Sequence, residues 1–90
     1  MFYEWDDPKA AANQRKHGWA FEDAVEVFGD LQRTIDYDSR YDYGEERWTT
    51  VGAVRGRYVM VVYTERDGLR RIISARKAGR HARERYHREI

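Results

Sequence analysis

The sequence contains no cysteine, and this absence excludes several features at once. Disulfides cannot supplement the core, and neither a thiolate metal site nor a cysteine nucleophile can form. Long apolar runs are also missing, so no segment is suited to crossing a membrane, and the short acidic start of the chain does not resemble a signal peptide. We therefore expect a cytoplasmic protein that has no membrane association.

The motifs of several enzyme classes are absent as well. There is no Gly-x-Ser-x-Gly elbow, no P-loop and no dinucleotide-binding fingerprint, which argues against serine hydrolases and nucleotide-binding enzymes. His17 lies far along the chain from His81 and His87, and no His-Glu motif of the metalloprotease type occurs. We expect no metal and no other cofactor.

Charged residues, by contrast, are abundant and unevenly distributed. Residues 66–90 contain nine basic and three acidic residues, a charge of +6, whereas residues 1–65 contain eight basic and thirteen acidic residues, a charge of −5. Such asymmetry indicates that the basic end binds a polyanion or an acidic protein segment. A solvated helix face would account for the charge run equally well.

The length and composition suit one α+β domain spanning residues 1–90, since 41% of the residues are hydrophobic. Asp6-Asp7-Pro8 is typical of a helix start, because an Asp side chain can cap the first turn and Pro loses no hydrogen bond there. Gly18 is typical of a helix end. Apolar periodicity predicts, in chain order, a strand at 2–5, helices at 9–17 and about 20–28, strands at 31–37, 47–54, 57–65 and 69–75, and a C-terminal helix that includes residues 78–90.

The strands from residue 47 onward predict an antiparallel sheet, with two N-terminal helices and the C-terminal helix packed on it. Tight hairpins are indicated at Arg55-Gly56 and Asp67-Gly68. The run 58–63 is apolar at every position, so it belongs in the middle of a sheet that is covered on both faces. In the C-terminal helix the spacing predicts one buried stripe and one basic side; the buried stripe comprises Ala78, Ala82, Tyr86 and Ile90, and the basic side comprises Arg80, Arg83 and His87.

The intervening segment 36–46 is rich in Asp, Glu and Tyr and predicts an irregular loop. RNA bases could stack on Tyr37, Tyr41 or Tyr43. Five carboxylates in the same segment would repel phosphate, which argues against this interpretation.

The residue types that remain favour chemistry on RNA. Clustered arginines can hold a phosphate bidentately and stabilise the extra negative charge of a pentavalent transition state. RNA supplies its own nucleophile, the 2′-hydroxyl, so positioning, charge stabilisation and modest acid–base help suffice for cleavage. Histidine is the residue type suited to proton transfer near neutral pH. The spacing alone favours His17 as a helix-end residue that interacts with the last carbonyls.

Several short segments together resemble the BrnT family, the toxins of a bacterial type II toxin–antitoxin system. The specific pieces are Lys16-His17-Gly18 and Ile73-Ser74-Ala75-Arg76, and the resemblance covers nearly the whole chain. The other matching residues are Trp5-Asp6, Lys9, Asn13, Phe21 to Phe28, Glu46-Arg47, Arg71-Ile72, Ala78 and Tyr86.

This resemblance implies a RelE-like fold and a metal-independent ribonuclease activity that blocks translation. It also implies neutralisation by a cognate BrnA antitoxin, in a complex that represses its own operon through DNA contacts made by the antitoxin. Two departures from the family pattern stand out. Trp19-Ala20 replaces an aliphatic residue and a Ser or Asp that could cap a helix, and Gly79 and Ala82 replace the two ends of a Thr-x-x-Glu capping box. Loss of a Thr cap costs about 1 kcal/mol or less, so we expect the fold to survive, although a catalytic role of the Glu would be lost.

Two hypotheses follow. In the first, the protein cleaves RNA: Arg76, Arg80 and Arg83 hold phosphate, Lys9 and His17 contribute charge or proton transfer, and Tyr86 orients the substrate. Arg70, Lys77, Arg83 and Arg85 then contribute to RNA binding. In the second, the protein is a binding module whose basic end holds an acidic antitoxin and which no longer cleaves RNA. Arg76 has a further structural interpretation, as the ion-pair partner of a carboxylate such as Glu46.

Overall fold

The computed structural model describes residues 1–38 and 44–88. Within these residues a five-stranded sheet is accompanied by three α-helices and a 3₁₀ helix. The bounds are β1 Phe2–Glu4, α1 Asp7–His17, α2 Phe21–Ala24, the 3₁₀ helix Val25–Gly29, β2 Thr34–Tyr37, β3 Trp48–Val54, β4 Arg57–Arg66, β5 Leu69–Lys77 and α3 Arg80–Arg88. None of the helices in these two stretches is both long and apolar enough to span a bilayer.

The strands lie in the order β1-β5-β4-β3-β2, so β4 is central as its apolar run predicts. The α+β class is confirmed, and so is the predicted antiparallel pairing of β3, β4 and β5. Strand β2 also pairs antiparallel with β3. The sheet as a whole is mixed, however, because β1 pairs parallel with β5, Phe2 opposite Leu69. The sequence patterns are local, so they could not predict that the first and last strands along the chain pair with each other. The likeness to RelE stays a prediction.

Both predicted hairpins are present. Arg55 and Gly56 have φ values of 52° and 78°, and Asp67 and Gly68 have values of 54° and 79°. Two consecutive residues with positive φ are the requirement of the tight turns whose twist matches that of paired strands. The first hairpin brings the ends of β3 and β4, and the basic residues beside them, to one end of the sheet.

The two faces of the sheet carry different layers. The first face, which we call the α1 face, packs Val59, Val61 and Ala75 against Trp19 and Phe21 of the N-terminal helical segment. The second, the α3 face, is covered by a smaller cluster that joins α3 to β3 and β4, and its members are Val51, Tyr58, Met60, Ala78, Ala82 and Tyr86. Alternate residues of β4 therefore face opposite layers, which confirms that it is covered on both sides.

The predicted second helix differs from the structure, because it is divided into α2 and a 3₁₀ helix. Its first cap, Ala20, makes no side-chain hydrogen bond, and the segment continues with Val25, Val27 and Phe28, whose side chains lose rotamer freedom in an α-helix. The next strand starts at Thr34 rather than at residue 31, since Asp30 accepts a hydrogen bond from the Gln32 amide and turns the chain there.

Helix α3 forms without a capping box. The carbonyl of Gly79 accepts a hydrogen bond from the Arg83 amide at 3.0 Å, so the first turn closes through the backbone alone. Ala78 and Tyr86 of the predicted stripe are buried and Ala82 is half-buried. Ile90, Tyr41 and Tyr43 lie outside the described residues.

Candidate active site

A basic cleft lies between α3 and the start of β4. We call it the α3 cleft, and its volume is about 650 Å³. Its walls come from one side of α3 and from Tyr58 at the start of β4. The lining residues are Tyr58, Arg80, Arg83, Glu84, His87 and Arg88.

Positive charge dominates this lining, which has three arginines and a single carboxylate, Glu84. That carboxylate accepts a hydrogen bond from Nε of Arg80 at 3.1 Å and lies 3.9 Å from His81. Nε of Arg83 is buried and finds no acceptor among the described residues. A guanidinium can donate but not accept, so the three arginines of the lining offer the cleft donors for an anion.

An aromatic floor accompanies the charge. The half-buried ring of Tyr58 lies 5.2 Å from the ring of His87 and 5.7 Å from that of Tyr86, measured between centroids. His87 is exposed, so its imidazole is accessible at the edge of the cleft. His17, the histidine predicted to take part in the chemistry, stands in the Lys-His-Gly motif and does not line this cleft. The helical spacing places His87 on the basic side of α3 with Arg80 and Arg83, and the structure confirms that grouping.

Arg76 lies on the α3 face of the sheet, although it is not one of the residues that line the α3 cleft. It pairs with Met60 in the register of β4 and β5, and its Nη2 lies 3.7 Å from the Met60 sulfur, on the α3 face. The guanidinium is exposed and close in register to Tyr58. Glu46, the proposed ion-pair partner, lies at the opposite end of the sheet, in a groove with Arg71 and Asp67. Lys77 follows Arg76 at the end of β5 and is exposed.

Arg70, by contrast, is on the α1 face. Its guanidinium lies 4.3 Å from the centroid of the Phe28 ring, and its Nε donates to Glu65 at 2.9 Å. The cause is an irregularity in β5: Ser74 pairs with Val62 but Ile72 pairs with Tyr63. One extra residue in a strand moves every later side chain of that strand to the other face of the sheet. Arg70 and Arg76 therefore lie on opposite faces.

The remaining predicted residues of α3 have structural contacts. Arg85 forms an ion pair with Asp36 of β2. Tyr86 is buried, and its hydroxyl donates to Asp30. That hydrogen bond, together with burial, raises the pKa of Tyr86 to about 12. Burial acts to raise the pKa of Asp30 as well, but hydrogen bonds from the Ala53 amide and the Tyr86 hydroxyl hold it below its ordinary value.

Helix α1 places the other two predicted residues across the sheet from α3. Asn13 fixes the helix, because its side-chain amide donates to the carbonyls of Ala75 at 2.8 Å and Trp19 at 3.1 Å. Lys9 is exposed in the first turn, where its backbone amide donates to the Asp6 carboxylate. His17 is half-buried at the last position of the helix. The structure therefore does not bring Lys9 into the α3 cleft, and it places His17 on the α1 layer.

Comparison with known families identifies a match over most of the chain. The family described as the ribonuclease toxin BrnT of a type II toxin–antitoxin system matches residues 5–82. This range includes both helices of the α1 face, the sheet from β2 to β5 and the first turn of α3. No curated protein matches the chain.

Proposed function

The chain belongs to the BrnT family of ribonuclease toxins of type II toxin–antitoxin systems, and from this premise we propose that it cleaves RNA at the α3 cleft without a metal ion. The observation that carries the location is the lining of this cleft, which has three arginines and one carboxylate. Nε of Arg83 is in addition a buried donor without an acceptor among the described residues. A phosphodiester supplies the acceptor oxygens that this arrangement needs.

Cationic residues carry the main part of the mechanism. Arg80 and Arg83 hold the scissile phosphate from the helix, and Arg76 approaches it from the sheet. The 2′-oxygen forms a bond to phosphorus while the bond from phosphorus to the 5′-oxygen breaks, which leaves a cyclic phosphate and a 5′-hydroxyl. Charge accumulates on the phosphoryl oxygens in the transition state, where fixed guanidinium groups stabilise it without reorganising.

His87 and Tyr58 supply the remaining functions. The imidazole of His87 accepts the proton of the 2′-hydroxyl or delivers one to the departing 5′-oxygen, since histidine exchanges protons near neutral pH. The adjacent Tyr58 ring stacks a base and so places the ribose beside the imidazole. Lys9 and His17 have no part in this mechanism. Tyr86 holds α3 in place through its buried ring and its hydrogen bond to Asp30.

The proposal extends to the biological consequence, and membership of the family supports it. Cleavage of RNA by this chain inhibits translation, and a BrnA-type antitoxin binds the toxin and blocks the activity. Operator DNA is contacted by the complex only through the antitoxin. The strong positive charge of the C-terminal segment supports a partner that brings carboxylates or phosphates to it.

Digestion of RNA by the purified protein in EDTA tests the proposal. We expect cleavage of single-stranded RNA, no cleavage of the same strand with 2′-O-methyl groups, and a loss of roughly a hundredfold in His87→Ala. His81→Ala is the matched control, because His81 is on the same helix, is exposed and does not line the cleft. Binding of the antitoxin by a protein that cleaves no RNA under any condition would instead establish the non-catalytic binding module.

A further inference from the structure

A second basic cavity lies around the end of the sheet from the α3 cleft. We call it the hairpin cavity, because it opens beside the turn between β3 and β4, and its volume is about 420 Å³. The two concavities share Tyr58 and Arg83, so they form one continuous surface. The lining residues of the hairpin cavity are Trp19, Gly56, Arg57, Tyr58, Lys77 and Arg83.

Three cations from separate elements converge in this cavity. Arg57 comes from the start of β4, Lys77 from the end of β5 and Arg83 from α3, and none of the lining residues is a carboxylate. The guanidinium of Arg57 lies 4.3 Å from the centroid of the Trp19 ring, a cation–π contact that fixes its position. Like charges brought together without a counter-charge favour an anionic ligand.

Two buried donors in the lining also lack acceptors. Nε1 of Trp19 and Nε of Arg83 are both buried, and neither has a hydrogen-bond partner in the described part of the chain. Trp19 as a whole is only 3% exposed. An indole and a guanidinium can only donate, so the missing partner must be an acceptor. Buried polar groups are normally satisfied, and a ligand oxygen in the cavity would satisfy these once the two side chains turn toward it.

We propose that the hairpin cavity is a phosphate subsite, which holds the phosphodiester next to the one in the α3 cleft. The inference rests on the proposed function and extends it to the substrate: RNA passes from the α3 cleft over Tyr58 and around the end of the sheet. Arg83 stands between the two phosphates, and Arg57 and Lys77 hold the second. Cleavage of a longer strand is then more efficient than cleavage of a dinucleotide, because only the longer strand reaches the subsite.

The salt dependence of binding provides the test. The probe is a short single-stranded RNA with 2′-O-methyl groups, which binds but cannot be cut. Arg57→Gln and Lys77→Gln should each lower the slope of log affinity against log salt by about 0.7. Arg55→Gln is the matched control, since Arg55 is on the same hairpin but is paired with Glu26 and Asp23 and does not line the cavity.

A spectroscopic measurement on the wild-type protein tests the subsite without a substitution that could change the fold. In the wild-type protein, the indole N–H resonance of Trp19 should shift when the same RNA is added, while those of Trp5 and Trp48 stay in place. Inorganic phosphate alone should produce the same shift more weakly. A shift with phosphate but not with RNA, or with an acidic peptide only, would overturn the proposal.

The two proposals fail in different ways. A wild-type protein that cleaves RNA, with Arg57→Gln and Lys77→Gln variants that keep its slope and its preference for longer strands, would remove the subsite and leave the ribonuclease intact. A wild-type protein that neither binds nor cleaves RNA would remove the ribonuclease proposal itself, and the subsite with it.

Discussion

The hydroxyl of Tyr86 donates a hydrogen bond of 2.7 Å to Oδ2 of Asp30, fifty-six residues earlier in the chain. The same oxygen accepts from the Ala53 amide at 2.9 Å, and Oδ1 accepts from the Gln32 amide. One carboxylate thus connects α3, the end of β3 and the turn before β2. A nine-residue helix is marginal by itself, so contacts of this kind fix where α3 presents its arginines.

Tyr86→Phe tests whether this residue supports the helix or contacts RNA. The substitution removes one hydrogen bond and should destabilise the protein by about 1 kcal/mol, which lowers the melting temperature by several degrees. RNA cleavage should fall only severalfold, through a higher KM. A variant of wild-type stability whose kcat is lost would show instead that the hydroxyl acts on the substrate.

The same hydrogen bond predicts a dependence of stability on alkaline pH. The pKa of Tyr86 is raised from its ordinary 10.0 to about 12, so the folded state favours the neutral hydroxyl. The resulting stabilisation is complete below about pH 10 and is lost as the pH rises toward about 12. Chemical denaturation across this range should give a steeper loss for the wild type than for Tyr86→Phe. Parallel curves for the two proteins would contradict the assignment.

Gly52 permits the close approach of Asp30 to β3. A Cβ at this position would lie 2.9 Å from Cγ2 of Val27 and 3.0 Å from Oδ2 of Asp30. Gly52→Ala should therefore destabilise the protein by about 1–3 kcal/mol in thermal unfolding. Gly29→Ala is the control, because no atom of the described residues lies within 4 Å of the place that its added methyl group would occupy. Equal melting temperatures for both variants would argue against a tight contact at Gly52.

Arg76→Lys separates charge from geometry on the α3 face of the sheet. Lysine keeps the charge but loses the bidentate fork. The side chain is exposed, and among the described residues its one hydrogen-bonding contact is with the Met60 sulfur. The melting temperature should therefore change by no more than a few degrees. RNA cleavage should fall roughly tenfold to a thousandfold. Wild-type cleavage by the folded variant would remove Arg76 from the active site.

The sequence predicted best those features that depend on local chemistry. The Asp6 cap, the Gly18 helix end and both hairpin turns follow from side-chain hydrogen bonding and positive φ, and the structure has all of them. The parallel pairing of β1 could not be predicted, because no local pattern specifies which distant strand is its neighbour.

The candidate site was predicted less completely, for similar reasons. The basic side of α3 follows from helical spacing, which places Arg80, Arg83 and His87 together. The irregularity in β5 has no signal in the sequence, yet it decides that Arg70 faces Phe28 while Arg76 lies on the opposite, α3 face. The contact between Arg57 and Trp19 could not be predicted either, because the two residues are far apart in the sequence and come together only in the folded chain.

The location of the active site is tested by the rate of RNA cleavage in EDTA by Arg83→Gln, compared with that by Arg55→Gln. Both changes remove one arginine charge, but only Arg83 lines the α3 cleft. We predict that folded Arg83→Gln loses at least roughly a hundredfold in cleavage rate, whereas Arg55→Gln cleaves like the wild type. Equal rates for Arg83→Gln and the wild type would show that RNA is cut elsewhere on the molecule.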